Sequence, residues 1–357
     1  MTKILYTVVA IISLQLASGQ DSFVQVDMIP LNWNIPNDAK FEKFDGRETL
    51  ILKSGRAAVQ NLTFTDGIIE VDVYATSKRS FAGINFRVNQ NDMEEVYLRM
   101  HKSNQVDAIQ YTPIFNDESN WQLYREHQAK VAFKETGWNT LRIDVRNSSA
   151  KISINGQEVL SVNQLKTDGL KGGIGLWALF GSRFSNFRVL QKDISENSDL
   201  SKASDLNPNL ITNWDITQAF PFEEDSFDVE SFSKAKYTKV FTEESGLLPI
   251  SKYVKKSSAG SFEQNGEDYI VATQTIHSDK KRTQAFSFDY SDKIMLYLNG
   301  TLVFKGNNAF RAKGVQHTGH IGLDANRLYL QLEKGTNQIH CVVIDKANGW
   351  GLIAKWE

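Results

Sequence analysis

The chain has 357 residues, with 40 Lys and Arg against 42 Asp and Glu, a formal net charge of −2. That balance excludes the broad electrostatic grip on nucleic acid that a basic surplus provides. Hydrophobic residues make up 41% and aromatics 11%, which excludes wholesale disorder. The single cysteine excludes an intramolecular disulfide framework and a multi-thiolate metal site.

Residues 1–20 read as a secretory signal. Lys3 supplies the positive start, Ile4 to Ala17 the apolar stretch, and Ala17-Ser18-Gly19 the small residues of a cleavage site. Thr7, Ser13 and Gln15 interrupt that stretch, which is too short for a membrane span. The expectation is a protein exported to a periplasm or secreted, with no membrane span. Asn61-Leu62-Thr63, Asn147-Ser148-Ser149 and Asn299-Gly300-Thr301 form sequons, which matter only on a eukaryotic secretory route.

Beyond the signal, alternation with period two dominates. Ile69, Val71 and Val73 oppose Glu70, Asp72 and Tyr74; Ile84, Phe86 and Val88 oppose Asn85 and Arg87. Val96, Leu98 and Met100 oppose Tyr97, Arg99 and His101, and Leu141, Ile143 and Val145 oppose Arg142 and Asp144. Short alternating strands between Gly, Asn, Asp and Ser clusters predict an all-β chain of two β-sandwich (jelly-roll) domains. Residues 191–212 are polar, contain Pro208 and break the rhythm, so they read as a linker between domains at 21–190 and 213–357. In the second domain alternation resumes at 284–288, 294–298, 328–332 and 339–343, where Ile339, Cys341 and Val343 share one face and the thiol packs as a small hydrophobe. Asn155-Gly156 and Asn299-Gly300, each flanked by strands, predict tight hairpins.

If strands 68–75, 82–88, 95–101 and 106–112 form a meander, their polar faces present Tyr74, Asn85, Arg87, Tyr97, Arg99, His101 and Gln110 together. Planar donors and acceptors beside aromatic rings suit sugars, whose hydroxyls take hydrogen bonds while their C–H faces stack. Trp121 and Trp177 would add stacking. A polar sheet exterior is the plainer alternative.

Several motifs carry a family resemblance. Phe64-Thr65-Asp66-Gly67-Ile68-Ile69-Glu70-Val71-Asp72-Val73, then Phe81-Ala82-Gly83-Ile84-Asn85-Phe86-Arg87, Gly137-Trp138-Asn139-Thr140-Leu141-Arg142-Ile143, Gly173-Ile174-Gly175-Leu176-Trp177 and Phe184-Ser185-Asn186-Phe187 follow one another in an order that resembles concanavalin A-like lectin/glucanase sandwiches of the laminin G-like and 3-keto-disaccharide hydrolase type. Tyr290 to Gly300 resembles the galactose-binding-like jelly rolls that accompany carbohydrate-active enzymes. The resemblance implies a carbohydrate partner. The leading expectation is an exported carbohydrate-binding protein, with Asn85, Arg87, Tyr97, Arg99, His101, Gln110 and Trp177 at the ligand. The alternatives are a glycoside hydrolase of the 3-keto-disaccharide type, using Glu70, Asp72 or His101, and a protein-interaction module.

Glu70 and Asp72 share a strand face about 6–7 Å apart, near the ~5–5.5 Å of retaining glycosidases. The hydrolytic branch of the family follows its Glu-x-Asp with a second Glu, where this chain has Val73, Tyr74 and Ala75. A solvated face, or an ion pair to Arg87, is the plainer reading. His317-Thr318-Gly319-His320 has a metal-like spacing but no supporting Cys or carboxylates, and reads as a loop with two solvated histidines. No cofactor or metal is expected beyond a structural calcium, for which the resemblance offers Asp292, Asn299 and Asp324. Phe310 reads as packing on the sandwich rim or as a loop-end sugar contact.

Overall fold

Each alternating segment has one apolar face to bury, and pairs of sheets close over those faces. A computed structural model describes residues 22–192, 207–224, 232, 234–257 and 266–357. The expected signal, 1–20, and residues 193–206 of the expected linker lie outside the described residues. The protein is all-β, built as two sandwiches.

The N-terminal sandwich has two eight-stranded sheets. One runs Gln157–Val162, Ser149–Ile154, Trp138–Arg146, Gly67–Tyr74, Ser182–Gln191, Arg47–Leu52, Lys40–Phe44, with Val24–Val26 also paired to Ser182–Gln191. The other runs Glu118–Ser119, Ile109–Phe115, Asp92–Arg99, Phe81–Asn89, Gly172–Leu179, Gly55–Phe64, Trp33–Asn34, with Gln128–Ala129 also paired to Ile109–Phe115. Ile69, Val71 and Val73 of the first sheet and Ile84, Phe86, Val96 and Leu98 of the second fill the core between them.

This order corrects the expected meander. Phe81–Asn89, Asp92–Arg99 and Ile109–Phe115 are neighbours, but Gly67–Tyr74 belongs to the opposite sheet. The chain crosses between sheets after Tyr74, whereas consecutive strands are neighbours in most sheets. Tyr74, Glu70 and Asp72 therefore face away from Tyr97 and Arg99.

The C-terminal sandwich has a seven-stranded and a four-stranded sheet. Trp214, Phe286, Phe288, Ile294, Leu296 and Trp350 pack between them with Ile339, Cys341 and Val343. Burial raises the Cys341 thiol pKa. Leu210 and Ile211, inside the expected linker, already join this unit: Leu210 bridges Lys355 and Ile211 enters the core. Asn155-Gly156 and Asn299-Gly300 have φ of 52° and 83°, and 50° and 80°. Both central residues are left-handed, as a tight hairpin requires.

Residues 116–128 fasten the sandwiches together. Asn116 Nδ2 donates to Ser251 O at 2.8 Å, Gln122 Nε2 to Thr318 O at 2.8 Å and the Tyr124 hydroxyl to Glu243 at 2.6 Å. Leu123 lies against Gly349 and Gly351, where a Cβ would come within 3.0 and 2.7 Å of its side chain. Glu118 pairs with Lys256 at 2.9 Å, and Lys256 also pairs with Asp345. Among the described residues, no helix is long and apolar enough to cross a membrane.

Candidate functional site

A cleft of about 600 Å³ opens between the two sandwiches. Its floor is the outer face of the strands Phe81–Asn89, Asp92–Arg99 and Gly172–Leu179. Register places Trp177 opposite Gly83, Gly83 opposite Tyr97, and Tyr97 opposite Gln110. Gly83 has no side chain to separate its neighbours, and a Cβ there would sit 2.8 Å from the Tyr97 Cβ. The Trp177 and Tyr97 rings meet across it, centroids 5.4 Å apart at 68°. Phe81 joins them, 6.2 Å from Trp177 and 6.1 Å from Tyr97.

Arg99 lies over this floor, its guanidinium 4.8 Å from the Tyr97 ring and 5.8 Å from that of Trp121. It donates to the Tyr97 hydroxyl at 2.7 Å, to Gln110 Oε1 at 2.5 Å and to the Asp107 carbonyl at 2.8 Å. Gln110 in turn donates to Trp121 O at 2.7 Å and accepts from Gln128 at 2.9 Å, which fixes the acceptor that Arg99 uses. Burial pushes the Tyr97 phenol up to about 12, against the pull of Arg99. His101 follows in a short turn, its Nδ1 3.2 Å from Ser80 O. Burial lowers its pKa, helped by Lys102, Arg79 and Arg99 and opposed by Ser80.

The opposite wall comes from the C-terminal sandwich. Phe310 meets Trp121 edge-on at 5.7 Å, and Arg311 lies over Phe310 at 4.9 Å. The loop carrying them is pinned rather than solvated. His317 contacts Ala309 O and Asn308 Oδ1, both at 3.1 Å. His320 sits under Trp121 at 5.4 Å with Gln128 Nε2 3.2 Å away. Burial, then Arg125 and Arg99, lower the His320 pKa to about 4. This corrects the expectation of two solvated histidines. Among the described residues no group of three or more His, Cys, Asp or Glu is placed to hold a metal.

The cleft thus brings together Tyr97, Arg99, His101 and Trp177, with Gln110 directly behind Arg99. Asn85 is buried one step along the sheet and donates to Glu95 at 2.7 Å. Arg87 is at the far end. A bulge shifts the register after Phe86, Arg87 takes φ 51°, and its guanidinium donates to Thr65 O, Asn147 O and Asp66. Its ion partner is Asp66, not Glu70 or Asp72.

On the opposite sheet, Glu70 holds Arg142 at 2.5 Å and Arg188 at 2.5 Å. Asp72 accepts from Arg47 at 2.7 Å and Thr140 at 2.6 Å. The proposed calcium donors do not converge. Asn299 serves its hairpin through Gln338 and Asn337, Asp324 pairs with Lys355, and Asp292 accepts from Lys346 N. The strand Lys293–Leu298 puts about 20 Å between Asp292 and Asn299. Arg79, Phe81, Lys102, Asp107 and Arg311 also line the cleft and were not anticipated. The Phe81 position on the Gly83 face was the available signal; Arg311 had none, because the opposite module supplies it.

Residues 32–190 match the model of the 3-keto-alpha-glucoside-1,2-lyase-like domain. No curated protein matches the chain. Among solved structures, the carbohydrate-binding module CBM66 from Bacillus subtilis is similar at 12% identity, covering 44% of this chain and 93% of that one, with a TM-score of 0.35. The Bacillus licheniformis beta-glucanase is similar at 15% identity over 49% of this chain and 94% of that one, with a TM-score of 0.33. The Caenorhabditis elegans galectin LEC-6 is similar at 14% identity over 44% and 99%, with a TM-score of 0.29.

Proposed function

We propose that this protein is an exported carbohydrate-binding protein that holds its glycan in the cleft between the two sandwiches. The observation that carries this reading is the aromatic floor of Phe81, Tyr97 and Trp177 beneath an oriented guanidinium, closed from the other side by Phe310. The partly exposed Phe81 and Trp177 rings offer surfaces to sugar C–H groups while Arg99, Asp107 and Asn348 offer donors and acceptors to hydroxyls. A cavity of about 600 Å³ is within the range that takes small ligands. The match of residues 32–190 to a glycoside-directed domain supports the sugar class. The test is a glycan and polysaccharide binding panel on the purified protein, followed by Arg99→Ala and Trp177→Ala on each hit. Unchanged affinity in both variants contradicts the assignment.

A second reading, cleavage of a 3-keto-disaccharide, is favoured by His101. Of Glu70, Asp72 and His101 it alone lines the cleft, and an imidazole with a lowered pKa is neutral and able to accept a proton at neutral pH. Product release from a 3-keto-disaccharide, lost in His101→Ala and kept in Glu70→Gln, would establish it.

A further inference from the structure

The cleft is positive although the chain as a whole carries −2. Arg79, Arg99, Lys102 and Arg311 line it against one carboxylate, Asp107. Lys102 pairs with Asp107, which leaves the three arginines uncompensated. Among the described residues no carboxylate forms an ion pair with any of them: Arg79 rests over Phe180 at 4.6 Å, Arg311 over Phe310 at 4.9 Å, and Arg99 gives only part of its five N–H donors to a phenol, an amide and a carbonyl.

Arg99 is the telling member. It is only 5% exposed, and a buried charge without a counter-charge costs stability that an incoming anion restores. Its position is nevertheless enforced by three hydrogen bonds and by the Gln110 network behind it. The Arg311 backbone is fixed in a left-handed conformation at φ 65° with its N–H bonded to His317 O at 2.9 Å, which directs its side chain over Phe310. Guanidinium groups fit planar and tetrahedral oxyanions through paired N–H donors. Low-dielectric walls also focus their field into the cleft.

We infer that the cleft takes a sugar bearing an oxyanion, either a uronate carboxylate or a sulfate ester, received by Arg79, Arg99 and Arg311; this rests on the carbohydrate reading above. Both sandwiches are then needed for the charge as well as for the ring contacts, since Arg79 and Arg99 come from one and Arg311 from the other.

The experiment is calorimetric titration of the whole protein with two matched pairs. The first is an oligogalacturonate and its methyl ester, and the second a sulfated galactan oligosaccharide and its desulfated form. The charged member of one pair binds at least about tenfold more tightly than its neutral partner, and that pair identifies the oxyanion. The advantage shrinks as salt rises from about 50 mM to about 500 mM. Arg79→Gln and Arg311→Gln, both at exposed positions, remove most of the advantage that the charged member holds over its neutral partner. Equal binding within both pairs overturns the inference, and so does a panel in which only neutral glycans bind; in either case the carbohydrate reading survives. A protein that binds no glycan of any kind overturns both.

Discussion

The indole Nε1 of Trp121 donates to Oδ1 of Asn348 at 3.0 Å, and both residues line the cleft. A side chain of the N-terminal sandwich is thereby fixed by the C-terminal one at the place where a ligand would enter. Asn348 has φ 84°, a conformation that asparagine and glycine tolerate and alanine resists. Asn348→Gly should cost about 1 kcal/mol for the lost hydrogen bond. Asn348→Ala should cost about 1–2 kcal/mol more. Chemical denaturation midpoints of the two variants separate the two contributions.

The loop that carries Phe310 and Arg311 depends on Gly319. At φ 71°, a Cβ there would lie 2.1 Å from Gln122 Nε2 and 2.6 Å from Asn308 O. Gly319→Ala should therefore push the loop away from the N-terminal sandwich, lowering stability by about 2 kcal/mol or more and weakening any ligand of the cleft. Gly314, at φ 105° with open space around it, is the control, because Gly314→Ala carries only backbone strain of about 1–2 kcal/mol. Equal losses in the two variants would show that the close approach to Gln122 contributes nothing.

Glu70 is buried beneath Arg142 and Arg188 on the sheet face away from the cleft. Glu70→Gln should lower stability by about 1–2 kcal/mol, because two partly exposed arginines lose their shared counter-charge. Glycan affinity should stay within about twofold of the native protein. Thermal melting and titration of one preparation check both halves.

The contact between sandwiches predicts a pH dependence. Burial, aided by Asp345, pushes Asp292 up to about 8. Burial raises Glu118 to about 7, with Asp345 adding and Lys256 opposing. A carboxyl whose folded pKa exceeds its unfolded one holds its proton more tightly when folded. Its contribution is complete below the unfolded value and is lost as pH rises through the folded value. His127 and His320, lowered to about 4 chiefly by burial, act oppositely and add stability as pH rises toward about 6.5. From about pH 6.5 to about pH 8 the raised acids, Asp345 beside Asp292 and Glu118, decide the sign, and stability falls. Asp292→Asn should remove about 1–2 kcal/mol of that fall, read from denaturation midpoints across the window.

The alternation of Ile84, Phe86, Val96 and Leu98 with polar residues announces sandwich strands, because one face of each is buried and the period is two. The row of Trp177, Tyr97 and Arg99 was legible for the same reason. What the sequence did not disclose is long-range. Gly67–Tyr74 alternates like its neighbours, and only the crossover to the opposite sheet removes Glu70, Asp72 and Tyr74 from the face of Tyr97. Arg87 was misplaced by a bulge, since an added residue reverses the facing of everything after it. Phe310 and Arg311 reach the cleft from about 200 residues further along the chain, through docking that no local pattern encodes.

The central claim is that both sandwiches build one glycan site. The most direct test measures the affinity of a panel hit for the native protein, Trp177→Ala and Phe310→Ala, one ring from each side of the cleft. Each variant should lose about tenfold or more. Native affinity in Phe310→Ala beside a loss in Trp177→Ala would place the ligand on the N-terminal sandwich alone and contradict the account.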